Sequence, residues 1–119
     1  MDFNISSEVN PVKHLAVIAL EGELDAFTSE TVRETVIGLV RDGYTHLLFD
    51  LGKLSYLDSS GLGVLVGALK RVRERDGEMV LVVDNPRLLR LFELTGLEKI
   101  FNMVSTRQEA LGRLEGGET

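Results

Sequence analysis

Three short runs of apolar residues, each uninterrupted by a polar one, do most to limit how this chain can fold. They are Leu15-Ala16-Val17-Ile18-Ala19-Leu20, Leu47-Leu48-Phe49 and Met79-Val80-Leu81-Val82-Val83. A strand with one wet face alternates apolar and polar residues. A run without alternation needs cover on both faces, as in the middle of a parallel sheet flanked by helices. The segments between the runs have helical periodicity. The chain therefore reads as alternating strands and helices, joined by right-handed crossovers.

The remaining elements follow from local pattern. Phe3, Ile5 and Val9 stand at odd positions among Asp2, Asn4, Ser6 and Glu8, which is the alternation of a half-buried strand. Asn10-Pro11 marks a turn, so this strand pairs antiparallel with the next, which Gly22 is expected to close. From about Thr28 to Arg41, Val32, Val36, Ile37, Leu39 and Val40 recur at helical spacing, and Asp42-Gly43 supplies a stop. A strand from His46 to Asp50 precedes a helix with Leu62, Leu65, Val66, Leu69 and Val72 on one stripe, ending near Asp76-Gly77. Asn85-Pro86 is an N-cap with proline at the first helical position, and Gly96 ends the helix that carries Leu88, Leu89, Leu91, Phe92 and Leu94. Lys99 to Val104 reads as an edge strand, and Thr106 with Glu109 has capping-box spacing for a last helix through about Leu114. The expected order is β-β-α-β-α-β-α-β-α. It makes one α/β domain over 1–114, with a mixed, mostly parallel sheet and about four helices, followed by a flexible tail at 115–119.

Composition narrows the function. At 119 residues the chain can bury a proper core, and 44% hydrophobic with 27% charged residues is ordinary for a globular domain. A net charge of −6 argues against direct nucleic-acid binding, which needs a basic face. The basic run Lys70, Arg71, Arg73 and Arg75 is interleaved with Glu74, Asp76 and Glu78, and reads as a solvated helix end. Zero cysteines exclude disulfides and thiolate metal sites. No apolar stretch reaches the roughly 20 residues of a membrane span, and Met1-Asp2-Phe3-Asn4 has no signal-peptide character. The expectation is a cytoplasmic protein without membrane, metal or cofactor.

Residues 57–63, Leu57-Asp58-Ser59-Ser60-Gly61-Leu62-Gly63, join an apolar strand to an apolar helix. A serine there can be a helix cap, a nucleophile or a phosphoacceptor. Gly61, Gly63 and Gly67 call for compensation by close packing or by approach of another molecule, because an interior helical glycine costs roughly 0.5–1 kcal/mol relative to alanine. The Gly61–Gly67 spacing has one residue too many for a dinucleotide fingerprint, and no P-loop lysine is present. The motif resembles a nucleophile elbow, yet Asp58 stands where that motif has glycine. Both histidines, His14 and His46, precede their strands, at the sheet edge opposite the serines, so no base serves a hydrolase. Asp50 at a strand end imitates a phosphorelay receiver, but no acidic pair follows the first strand to hold magnesium, and Glu21 and Glu23 straddle a glycine after the second.

The sequence resembles the STAS-domain family over essentially its whole length, and specifically the bacterial anti-sigma factor antagonists. The resemblance lies in Gly22-Glu23-Leu24-Asp25 and in Tyr56-Leu57-Asp58-Ser59-Ser60-Gly61-Leu62-Gly63. Supporting segments are Gly77-Glu78-Met79-Val80-Leu81 and Leu91-Phe92-Glu93-Leu94-Thr95-Gly96-Leu97. It implies that Ser60 is phosphorylated by an anti-sigma factor that is also a serine kinase, with a histidine-kinase-like ATP site. The unphosphorylated form would bind that partner and release a sigma factor, and a metal-dependent serine phosphatase would reset the switch. It further implies a partner-binding face at Asp25, Asp58, Ser59, Ser60, Gly61 and Leu62, and no enzymatic activity of its own. The oligomeric state stays open between a monomer and a weak homodimer, which an exposed sheet edge would permit. The alternative within the family is a subunit of a lipid-transport or signalling complex without a sigma-factor role. Tyr56, Leu57 and Leu62 are candidates for an apolar contact surface, with Leu57 expected in the core. A phosphate adds about −1.5 to −2 charges. At a helix N-terminus the fold should tolerate it, held by free N–H groups, so that the switch works by repulsion.

Overall fold

The uninterrupted apolar runs are neighbouring strands of one five-stranded sheet, ordered β1-β2-β3-β4-β5. The computed structural model describes residues 3–116. Its strands are β1 (Asn4–Asn10), β2 (Leu15–Leu24), β3 (His46–Leu57), β4 (Glu78–Val82) and β5 (Asn102–Val104). The helices are α1 (Ser29–Arg41), α2 (Ser59–Arg73), α3 (Pro86–Thr95) and α4 (Arg107–Gly116). β1 runs antiparallel to β2, and all other neighbours are parallel. The expected order and mixed sheet are both found.

Successive strand side chains point to opposite faces, and the core divides accordingly. Ala16, Ile18, Leu47, Phe49, Met79 and Leu81 face the main core with α1, α2 and α3. The intervening Leu48, Val80 and Val82 cluster with Val104 of β5 and Ala110 of α4 on the other face. This division follows from topology. The strands β2 to β5 advance in one direction across the sheet, so right-handed crossovers put the three connecting helices on one side. Among the described residues, α4 alone, which follows the last strand, covers the other. Among the described residues no helix is long and apolar enough to cross a membrane.

Local signals placed the helix ends. The Asn85 side chain accepts from Arg87 N–H at 2.8 Å, with Pro86 first in α3, and Gly96 takes φ 76° at its end. Glu109 N–H donates to Thr106 Oγ1 at 3.1 Å, while its carboxylate accepts from Ser105 N–H at 3.2 Å, one residue before the expected partner. Elsewhere the strands differ from expectation. Gly22 does not close β2; it lies inside the strand with φ 100°, and the strand runs on to Leu24. Asp50 does not end β3, which continues to Leu57. The segment 97–99 is a 3-10 turn, so β5 is confined to Asn102–Val104. Glu115 and Gly116 belong to α4, two residues past the expected helix end; residues 117–119 of the expected tail lie outside the described residues.

The second half of β3 positions everything that follows. Up to Asp50, β3 is flanked by both β2 and β4; from Lys53 to Leu57 it pairs with β2 alone. The register moves from Ala19↔Asp50 to Glu21↔Lys53, and from Gly22↔Leu54 to Glu23↔Tyr56. Each step places an extra residue in β3, the signature of a β-bulge, which bends and twists a strand. The bulges also turn Leu51, Leu54 and Leu57, spaced by three, onto one buried face. The ribbon thus curls over the helical side and delivers the chain to the start of α2.

Phe92 of α3 is fully buried and meets Phe101 edge-on, with ring centroids 5.7 Å apart and planes at 85°. Phe92→Ala is expected to lower the unfolding free energy by about 3–5 kcal/mol. Urea titration followed by circular dichroism would read this as a fall in midpoint.

Candidate functional site

The C-terminal ends of β2 and β3 lie side by side, with Leu24 paired to Leu57, and each strand passes into a turn that opens a helix. The two turns are joined by a backbone hydrogen bond from Asp58 N–H to the Leu24 carbonyl at 3.3 Å. Everything the sequence singled out between residues 22–25 and 56–63 therefore gathers at this one edge.

The cap of α2 is Asp58, not a serine. Its backbone is extended (φ −117°, ψ −170°), and its Oδ1 accepts from Ser60 N–H at 2.9 Å and Gly61 N–H at 3.2 Å. A carboxylate at this end also complements the helix dipole, a second reason for aspartate over serine. Ser59 and Ser60 open the first turn, Ser59 exposed and Ser60 half-buried. Among the described residues no protein group hydrogen-bonds either hydroxyl. The donors expected to hold a phosphate at Ser60 and Gly61 are thus already satisfied by Asp58. A phosphate on Ser60 adds an anion beside an existing carboxylate instead of filling vacant N–H groups.

Gly61 is buried, and its lack of a side chain is what allows α2 to start where it does. A Cβ there would stand 2.5 Å from Leu57 Cδ1, 2.8 Å from Leu24 Cγ and 2.9 Å from the Leu24 carbonyl oxygen. Gly63 and Gly67 have nothing within 4 Å of a corresponding Cβ, so packing inside the molecule accounts for Gly61 alone. Leu62 is 7% exposed and Leu57 5%, so both side chains belong to the core. Of the expected apolar surface, only Tyr56 is exposed.

Asp25 follows β2 as Asp58 follows β3. Its Oδ1 accepts from Phe27 N–H at 2.9 Å and Thr28 N–H at 3.1 Å. Thr28 answers by accepting from Asp25 N–H at 2.9 Å and donating its hydroxyl to the Glu23 carbonyl at 2.8 Å. This closed turn carries Phe27, whose side chain is 91% exposed and which the sequence reading passed over. Its signal was there: an aromatic residue at a polar turn, off the helical stripe.

The histidines are at the far edge. His46 N–H donates to the His14 carbonyl at 3.0 Å, and His46 Nδ1 accepts from Glu78 N–H at 3.2 Å, where β2, β3 and β4 begin. The length of β3 lies between them and Ser60. Asp50 is held by Arg107, with Oδ2 2.8 Å from Nε, and its Oδ1 accepts from Gly52 N–H. That ion pair sits beside a cleft of about 250 Å³ between β1, β2, β3 and α4, lined also by Ser6, Glu21 and Lys53.

Comparison with known proteins bears on this edge. A family model described as STAS domain matches residues 6–110. The anti-sigma-B factor antagonist of Listeria monocytogenes is 39% identical over 113 residues, covering 94% of this chain and 97% of that protein. Two solved structures share 26% identity with this chain. The anti-sigma factor antagonist SpoIIAA in its unphosphorylated form gives a TM-score of 0.76 and covers 95% of this chain and 99% of its own. The Bacillus cell fate determinant SpoIIAA in the phosphorylated form gives 0.74, with coverage of 94% and 100%.

Three substitutions test the architecture of the site. Asp58→Ala is expected to cost about 0.5–2 kcal/mol through loss of the cap. Gly61→Ala is expected to cost about 1–3 kcal/mol by overpacking against Leu24 and Leu57. Gly67→Ala, with open space around it, should instead stabilise α2 by roughly 0.5–1 kcal/mol. Thermal unfolding of the three variants gives the order directly.

Proposed function

The chain belongs to the STAS-domain family, and from that premise we propose that it is an anti-sigma factor antagonist switched by phosphorylation of Ser60. In the unphosphorylated form it binds an anti-sigma factor that is also a serine kinase, and so frees a sigma factor for transcription. A serine phosphatase restores it. The protein is then a regulatory binding module acting in the cytoplasm, and the chemistry at Ser60 is performed on it by its partners.

The single observation that carries this reading is the position of Ser60. It stands in the first turn of a helix, at the sheet edge shared with Asp25, with no intramolecular partner for its hydroxyl among the described residues. The distance to both histidines supports a serine acted upon from outside. Asp25, Asp58, Ser59 and Ser60 form the proposed binding face, with Gly61 and Leu62 beneath them shaping the helix end.

Electrostatics supply the switch. Phosphorylation takes the net charge from −6 to about −8 and places the new charge beside the Asp58 carboxylate. Like charges brought together in a desolvated interface cost several kcal/mol, and about 5.5 kcal/mol of differential affinity turns a two-state population from 1:99 to 99:1. The fold need not change. Similar TM-scores to the two forms of SpoIIAA, 0.76 and 0.74, support a switch of surface charge over one of unfolding.

Incubation with ATP and the anti-sigma serine kinase encoded in the same genome, followed by mass spectrometry, should place one phosphate on Ser60. Ser60→Ala is expected to keep partner binding and lose release, and Ser60→Asp to weaken binding at least about tenfold, near 1.4 kcal/mol. Phosphate found only elsewhere, or a Ser60→Asp variant that binds like the wild type, would defeat the proposal.

A further inference from the structure

We infer that Phe27 is the apolar anchor by which this face grips its anti-sigma partner, and that Asp25 serves the interface by positioning Phe27 and not by its charge. The inference rests on the proposed function and names what that site presents.

Phe27 is 91% exposed, the most open large apolar residue among the described residues, ahead of Val12 at 87% and Leu94 at 70%. Single exposed apolar residues are common on protein surfaces, so exposure by itself decides nothing. Two further features separate Phe27 from the others. The first is rigidity. Asp25 Oδ1 holds the N–H groups of Phe27 and Thr28, and the Thr28 hydroxyl ties the turn to the Glu23 carbonyl. A side chain with two rotatable bonds on a turn already ordered loses little freedom when a partner covers it. The second is place. The turn leaves β2 next to the point where α2 leaves β3, and the hydrogen bond from Asp58 N–H to the Leu24 carbonyl joins the two. A surface that reaches Ser60 meets this turn.

The same geometry reassigns Asp25. Its Oδ1 accepts two backbone N–H groups and lies 3.2 Å from the Thr28 hydroxyl, so that oxygen is engaged within the turn. Asparagine offers an oxygen at the same position without the charge, whereas alanine offers none. The partner chemistry that fits is an apolar cavity for the phenyl ring with a basic rim facing Asp58 and the net negative surface. Aromatic residues are enriched in such interfaces, and anchors seated in pockets carry most of the affinity.

The test measures affinity of the full chain for the anti-sigma serine kinase of the same genome by titration calorimetry, with thermal unfolding of each variant alongside. Phe27→Ala should weaken binding by about thirtyfold or more with an unchanged unfolding midpoint. Asp25→Asn should bind within about twofold of the wild type, and Asp25→Ala should lose affinity as Phe27→Ala does. In the Asp25→Ala/Phe27→Ala double variant the losses should not add, because both remove the same contact. If the wild type binds and is phosphorylated on Ser60 while Phe27→Ala binds equally well, the anchor is overturned and the proposed function stands. If Asp25→Asn loses as much as Asp25→Ala, charge is the operative property and the positioning role is overturned. If the wild type does not bind the kinase, both readings fall.

Discussion

The close approach between the first turn of α2 and the end of β2 is the constraint on which the rest of this molecule depends. Gly61 lies against the Leu24 carbonyl and the Leu57 side chain with no room for a Cβ, and Asp58 N–H is bonded to that same carbonyl. The start and direction of α2 are thereby set by the neighbouring strand. From there Leu65, Leu69 and Val72 follow onto the main core, and the serines are left at the rim. One backbone contact thus couples the packing of the domain to the presentation of Ser60, the proposed phosphoacceptor.

The electrostatics of that rim differ from what a bare helix end would provide. An unoccupied N-terminus is a ready anion site, because its first N–H groups lack partners. Here the protein's own carboxylate, Asp58, has taken the Ser60 and Gly61 donors. The helix is stabilised before any phosphate arrives, and a phosphate adds to negative charge already in place. In this proposed switch the modification alters the surface a partner meets and leaves the core that supports it alone. Asp25 repeats the device one strand away, satisfying the N–H groups of its own turn and holding Phe27 outward.

Much of the fold was legible in the sequence where the governing rules are local. Helical spacing placed α1, α2 and α3; Asp42-Gly43 ended α1, and Asn85-Pro86 and Gly96 bounded α3, because caps act through residues only a few positions apart. Legibility ended where a neighbouring strand decides. Leu51, Leu54 and Leu57 are spaced by three, which is neither strand nor helix periodicity, and only the bulges against β2 bring them to one face. The sequence pointed to a serine as the cap of α2, and Asp58 takes that place instead because the hydrogen bond to Leu24 holds its backbone extended. Leu62, expected at a partner face, went to the core because the pitch of α2 was set by Gly61.

Sequence alone determined the strand-helix alternation, the sheet covered on both faces, and the concentration of chemistry in the segments around Asp25 and Ser60. These depend on periodicity and on composition over a few residues, which the chain carries wherever it goes. Tertiary structure alone decided that the two segments share one edge, that Asp58 occupies the helix donors, and that Phe27 projects while Leu62 does not. Those outcomes depend on which backbone lies against which, and the bulged pairing of β2 with β3 is set by long-range contacts that no local pattern contains.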